Sequence, residues 1–247
     1  MRQKCRLFLG VVCFISLISQ AVLGQERRIL YIGDSITDGN WGGGNGSSAE
    51  RNHWDQNHIF GSGYMYLCAA HYTGTYPEKG FIFYNRGISG HTLADLEKRW
   101  KEDVLDLQPD VLSILVGTND INSFLDEKGG AFDFATWEKR YRNLLDQVHE
   151  RYPAIQLVIG SPFVLKAGWV GDAENWPQRK ELIRICAAVC QQIATDYGAT
   201  FLPYHQLFEE LEQTYPVPSG YWLWDGIHPT AAGHQRMAEL WIEQAGL

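Results

Sequence analysis

Ser35, Gly90, Asn119 and the pair Asp225 and His228 are the residues of this 247-residue chain whose types and spacing point to chemistry. Ser35 follows Gly33-Asp34, Asn119 follows Gly117-Thr118, and Asp225 stands three residues before His228. Taken alone, Gly33-Asp34-Ser35 reads equally as a strand-to-loop turn and as the seat of a nucleophile, because so short a motif is weak. Taken together, each residue has a job. A serine hydroxyl is a poor nucleophile until a base removes its proton. His228 is such a base if a carboxylate holds its other ring nitrogen, the role open to Asp225. Attack on an ester carbonyl creates an oxyanion, which preset donors must meet. The N–H groups of Ser35 and Gly90 and the side-chain amide of Asn119 are the candidates, with Gly87 as the alternative glycine.

Their neighbours have plainer readings. Asp34 is a turn-fixing acceptor, since a carboxylate aimed at the oxyanion would oppose its formation, and Asp120 supports the loop carrying Asn119. His91, His205 and His234 are helix or surface residues rather than bases, because no acid is paired with them at matching spacing. Trp222 and Trp224, beside the Asp225–His228 pair, either pack on a substrate or belong to the core, and Trp224 is the better candidate for the first because it adjoins Asp225.

Placing these residues together requires a particular framework. Apolar runs at Ile29–Ile32, Phe81–Tyr84, Val111–Val116, Ile155–Ile159 and Thr200–Leu202 are short enough for buried strands. Between them, helical spacing is expected over Tyr64–Tyr72, Leu93–Leu107, Thr136–Tyr152 and Pro177–Tyr197. Ile121–Phe134 reads as a loop, and a last helix is expected from near Pro229 to Ala245. Strands separated by helices call for right-handed crossovers and a parallel sheet covered on both faces. The expectation is a single α/β domain, a three-layer α/β/α sandwich on a mostly parallel five-stranded sheet. Ser35, Gly90 and Asn119 then share the edge where open α/β sheets bind ligands.

The stretch from Asp38 to Gly63 is long, polar and glycine-rich, and carries Trp41 and Trp54. Loops of that length in a compact domain are usually functional or disordered, and these tryptophans suit the wall of a substrate cleft. Its glycines lack the lysine-serine pair of a phosphate-cradling loop, and His53 and His58 lack a third ligand, so neither cofactor nor metal is expected.

Arg2, Lys4 and Arg6 precede an apolar run from Leu7 to Ile18, and small residues follow, the layout of a secretory signal peptide over residues 1–24. The run falls short of the ~20 residues that span a bilayer, so cleavage after Ala21 or Gly24 is preferred to a retained anchor. The product would be secreted or periplasmic, one domain over 25–247. Losing those three cations takes the formal net charge from −8 to −11. So acidic a chain repels phosphate backbones, which argues against nucleic acid as a partner. Cys68, Cys186 and Cys190 have the spacing of neither a disulfide framework nor a zinc site. An oligomer is compatible with all of this.

Gly33-Asp34-Ser35, Gly90, Gly117-x-Asn119-Asp120 and Asp225-x-x-His228 resemble, in order, the four sequence blocks of the SGNH (GDSL) hydrolase superfamily. The resemblance implies its flavodoxin-like fold, with Ser35 as nucleophile, His228 as base, Asp225 orienting it, and Ser35, Gly90 and Asn119 as the oxyanion hole. Gly87-Ile88-Ser89-Gly90-His91-Thr92, Asp95-Leu96, Arg99-Trp100-Lys101-Glu102-Asp103-Val104, Trp224 to Pro229 and Ala232-Gly233-His234 are similar to the acetylxylan esterases of that superfamily. That implies deacetylation of oligosaccharides or polysaccharides without a cofactor. A lysophospholipase or thioesterase using the same residues is the first alternative, and a non-catalytic glycan-binding module the second.

Overall fold

The computed structural model describes residues 26–39, 60–127 and 130–247. The leader and Trp41, Trp54, His53 and His58 lie outside the described residues. Strands β1 (Arg27–Gly33), β2 (Phe81–Gly87), β3 (Val111–Leu115), β4 (Gln156–Gly160) and β5 (Thr200–Leu202) pair in parallel in the order β2-β1-β3-β4-β5. Alternate residues of β1 divide between two apolar layers, with Ile29 and Tyr31 in one and Leu30 and Ile32 in the other. Helices α2 (Tyr64–Thr75), α8 (Tyr204–Thr214) and α9 (Ala231–Ala245) cover the first layer with Met65, Phe208 and Trp241. On the opposite face, α3 (Leu93–Trp100) and α5 (Phe134–Arg151) bury Leu96, Trp100, Trp137 and Tyr141. Helix α7 (Trp176–Asp196) completes that layer, its Cys186 and Cys190 free and buried. The expected three-layer sandwich is the observed one.

Two helix boundaries differ from expectation. The stretch read as a loop after Asn119 forms α4 (Thr118–Glu127), because Ile121 and Leu125, one helical turn apart, both bury in the first layer. The last helix begins at Ala231 rather than Pro229: Thr230 caps it through its side chain, and Pro229 instead bridges Leu223.

The chain leaves β1 for β2 on one side and returns to β3 on the other, so the order reverses at the β1–β3 boundary. Such a switch point opens a crevice at the carboxyl ends of the strands. Gly33 of β1 is registered with Gly87 of β2 and Leu115 of β3, which brings all three strand ends level. Glycine is required at both of these turns. A Cβ on Gly33 would stand 2.4 Å from the Leu115 carbonyl oxygen, and one on Gly87 would stand 2.2 Å from the Asp38 nitrogen.

Candidate active site

Ser35 opens α1 (Ser35–Asp38), a single turn that follows β1 directly. Asp34 forms that turn: its Oδ1 accepts from the Ile36 N–H at 2.9 Å while its carbonyl accepts from Asp38. Asn85 holds the turn from β2, its amide pointing at the Thr37 and Asp38 carbonyls and its Oδ1 accepting the Gly87 N–H at 2.9 Å. Arg99 of α3 spans both strand ends, donating to the Gly33 carbonyl at 3.0 Å, the Arg86 carbonyl at 2.8 Å and Asp103 at 2.7 Å.

Asp225 and His228 sit on a tight loop closed by the Leu223–Pro229 bridge and by the Trp224 N–H donating to the His228 carbonyl at 3.1 Å. Within it, Asp225 Oδ1 accepts from the backbone of Ile227 (2.9 Å) and His228 (2.8 Å). Its Oδ2 faces His228 Nδ1 at 2.7 Å, and His228 Nε2 lies 2.8 Å from Ser35 Oγ. Burial raises the Asp225 carboxyl, but hydrogen bonds from the His228 ring and from the two backbone amides outweigh it and hold the pKa at about 2. A carboxylate so held only accepts. His228 therefore carries its proton on Nδ1 and presents a bare Nε2 to the serine hydroxyl.

Among the expected oxyanion donors, Gly90 sits exposed in a turn closed by the His91 N–H donating to the Ile88 carbonyl, at a left-handed φ of 80°. The N–H of Gly87, the alternative glycine, is given to Asn85 Oδ1 at 2.9 Å. Asn119, at the start of α4, donates to the His91 carbonyl at 3.2 Å and to Asp34 Oδ2 at 3.4 Å. Asp120 does support this junction: it accepts from the Leu93 N–H at 3.1 Å and the Trp137 indole at 3.0 Å.

Burial pushes Asp120 up to about 6, against the Leu93 and Trp137 donors, and does the same to Asp34 against the Ile36 N–H. A carboxyl with a folded pKa above its unfolded value binds its proton more tightly when folded. Such a group weakens folding as the pH rises from about 4 to about 6. Asp120→Asn keeps an acceptor oxygen but cannot ionise. Its melting temperature relative to wild type is expected to climb by a few degrees between about pH 4 and pH 7. Thermal unfolding across that range checks this, and a gap that stays constant would remove Asp120 as the ionising group.

A cleft of ≈ 360 Å³ opens at Ser35 and is lined by His228, Trp224, Pro229 and His234. Trp224 is 45% exposed and its ring lies 6.0 Å from that of His228, tilted by only 22°. Trp222 is 6% exposed and packs in the core against Tyr215 and Tyr221, so it offers no face to a substrate. The core reading holds for Trp222, which lies with Leu223 in the first apolar layer while Trp224 stays exposed. A larger cavity of ≈ 490 Å³, lined by Phe124, Gly130, Glu174 and Gln178, does not include the serine.

Two residues at the site carry no role in the sequence reading, although His234 belongs to a stretch that resembles the acetylxylan esterases. Trp169, on the short helix α6 (Gly168–Asp172), donates its indole N–H to Asp225 Oδ2 at 3.3 Å. His234, read as a helix or surface residue, lies on α9 but turns into the cleft and accepts the Tyr64 N–H on Nδ1 at 3.1 Å.

Known proteins resemble this chain in sequence and fold. The GDSL-like lipase/acylhydrolase family matches over residues 31–236. The chain is 31% identical to an acetylxylan esterase of Geobacillus stearothermophilus over 231 residues, 91% of this chain and 96% of that one. The crystal structure of an acetylxylan esterase from that organism superposes with a TM-score of 0.73 at 28% identity, covering 91% of this chain and 96% of the other. Its catalytic mutants replace a serine, an aspartate and a histidine, the last two standing three positions apart. A Parabacteroides merdae structure described as a GDSL-like lipase superposes with a TM-score of 0.79 at 32% identity, covering 91% of this chain and 97% of that one. Likeness of this extent, over the sheet edge that carries Ser35 as well as the loop that carries His228, means that the chain belongs to the GDSL-like lipase/acylhydrolase family and is a carboxylic-ester hydrolase.

Proposed function

We propose that this protein is a secreted serine esterase that removes acetyl groups from oligosaccharides or polysaccharides through an acyl-enzyme intermediate. The observation that carries the chemistry is the unbroken line from Ser35 Oγ through His228 to Asp225, with contacts of 2.8 and 2.7 Å. Ser35 Oγ attacks the acetyl carbonyl as His228 Nε2 takes its proton. The oxyanion is met by the N–H groups of Ser35 and Gly90 and by the Asn119 amide, whose contact to Asp34, at 3.4 Å, is the weaker of its two. His228 then returns the proton to the departing sugar oxygen, and water repeats the sequence to release acetate. The acetylxylan esterase relatives and the exposed indole of Trp224 beside His228 support a sugar as the alcohol. Secretion rests on the leader-like residues 1–24.

Acetate release from partially acetylated xylo-oligosaccharides, compared with hydrolysis of p-nitrophenyl acetate, p-nitrophenyl octanoate and lysophosphatidylcholine, tests this reading. Acetyl esters are expected to be preferred and the sugar ester cleaved. Preference for the long acyl chains, or no release from the sugar, would overturn it. Among the described residues no helix is long and apolar enough to cross a membrane.

A further inference from the structure

The cleft holds a second histidine that the Ser35–His228–Asp225 line does not use. His234 lies on α9, half-buried, and its ring is nearly parallel to that of Tyr64, 11° apart with centroids at 6.5 Å. Its Nδ1 accepts the N–H of Tyr64, the first residue of α2, at 3.1 Å. That N–H is one of the donors every helix leaves without an internal partner at its start. A backbone N–H can only donate, so Nδ1 must be the bare nitrogen of the ring and Nε2 must carry the proton. The imidazole also stays neutral: burial foremost pushes its pKa down to about 4. The result is an uncharged N–H donor of defined direction, held between two helices and lining the cleft beside Ser35 and Trp224.

The chemistry says which part of an ester meets it. His228 must hand its proton to the departing alcohol oxygen, so the alcohol lies on the His228 side of Ser35. The acyl oxygen lies on the other side, toward Gly90 and Asn119. Trp224, Pro229 and His234 line the cleft together with His228, so an alcohol drawn to His228 would come to lie among them. We propose that His234 is a specificity-determining residue, donating its Nε2–H to a hydroxyl or ring oxygen of the sugar that carries the acetyl group. This rests on the carbohydrate reading above and adds the group that distinguishes a polyhydroxylated alcohol from a plain one. A site that offers a donor to a substrate oxygen rejects alcohols lacking that oxygen, because the donor is then left unpaired.

Two substitutions separate this role from the capping of α2. In His234→Asn the side-chain oxygen takes the place of Nδ1 and keeps the Tyr64 bond, but nothing reaches the position of Nε2. In His234→Gln the amide nitrogen reaches that position while the capping acceptor is lost. The readout is the ratio of kcat/KM on a partially acetylated xylo-oligosaccharide to kcat/KM on p-nitrophenyl acetate, whose leaving group has no hydroxyl. In His234→Asn this ratio is expected to fall about tenfold, the effect of one lost hydrogen bond. His234→Gln is expected to recover most of it despite a lower melting temperature. An unchanged ratio in His234→Asn, or a ratio in His234→Gln no better than in His234→Asn, would overturn the proposal and leave His234 a capping residue. If either variant fails to fold, the wild-type imidazole Nε2–H resonance serves. It is expected to shift on titration with an unsubstituted xylo-oligosaccharide, and no shift at saturation would overturn the proposal equally. Wild-type protein that cleaves p-nitrophenyl acetate but no sugar ester would instead sink the carbohydrate reading itself.

Discussion

Ser35→Ala is expected to lower kcat for acetate release by about 10⁶-fold, the size of effect seen when a serine nucleophile is removed from a hydrolase. The magnitude follows from what the hydroxyl does. In the proposed mechanism it is the atom that forms the acyl bond, and its 2.8 Å contact with His228 Nε2 is how that base would reach the reaction. Without it, the oxyanion donors and the cleft can still favour attack by water, which leaves a residual acceleration of about 10³–10⁴ over the uncatalysed reaction. The fold should hardly respond. Alanine is a better helix former than serine, and the turn is held by Asp34 and Asn85 rather than by the serine side chain. Acetate release by continuous titration, alongside a thermal melt, measures both. Activity of more than about 1% of wild type in a correctly folded variant would place the nucleophile elsewhere.

Asp225→Asn is expected to lower kcat by about 10⁴-fold with a smaller change in KM, and its argument is one of tautomers. Oδ1 of Asp225 accepts two backbone N–H groups, so an asparagine keeps its carbonyl oxygen there and turns its amide nitrogen toward His228. An amide donor facing Nδ1 requires Nδ1 to be bare, which moves the ring proton to Nε2. The base then points an N–H at Ser35 Oγ and cannot accept the proton that must leave. The same nitrogen also meets the Trp169 indole donor, whose 3.3 Å bond to Oδ2 is lost. Residues acting as one unit are far from additive, so combining Asp225→Asn with Ser35→Ala should cost little more than Ser35→Ala alone. A rate within tenfold of wild type for Asp225→Asn would show that another group orients His228.

Sequence and structure agree where the controlling interactions are local. Gly33 is legible because a glycine ending an apolar run marks a turn, and there a Cβ has no room. Asp225 and His228 are legible because three residues suffice to close the loop that makes them a pair. The helix α4 was missed because Gly117-Thr118-Asn119-Asp120 has the composition of a loop. Only the apolar layer over the sheet makes it favourable to bury Ile121 and Leu125. Trp222 and Trp224 could not be told apart by type. Their difference is that Trp222 is packed into the core layer while Trp224 stays exposed beside His228.

By itself the sequence determined the alternation of strands and helices, the serine after the first strand, the acid three residues before the histidine, and hence a parallel α/β esterase. These are properties of short stretches, where backbone sterics and side-chain spacing act directly. The tertiary structure alone decided which distant groups meet. Ser35 reaches His228 across 193 residues, Tyr64 donates to His234 across 170, and Trp169 reaches Asp225 across 56. Such pairings depend on the order of strands in the sheet and on which helix covers which face. Those are settled by the packing of the whole core, so His234 reads as an ordinary helix residue until α9 is laid against α2.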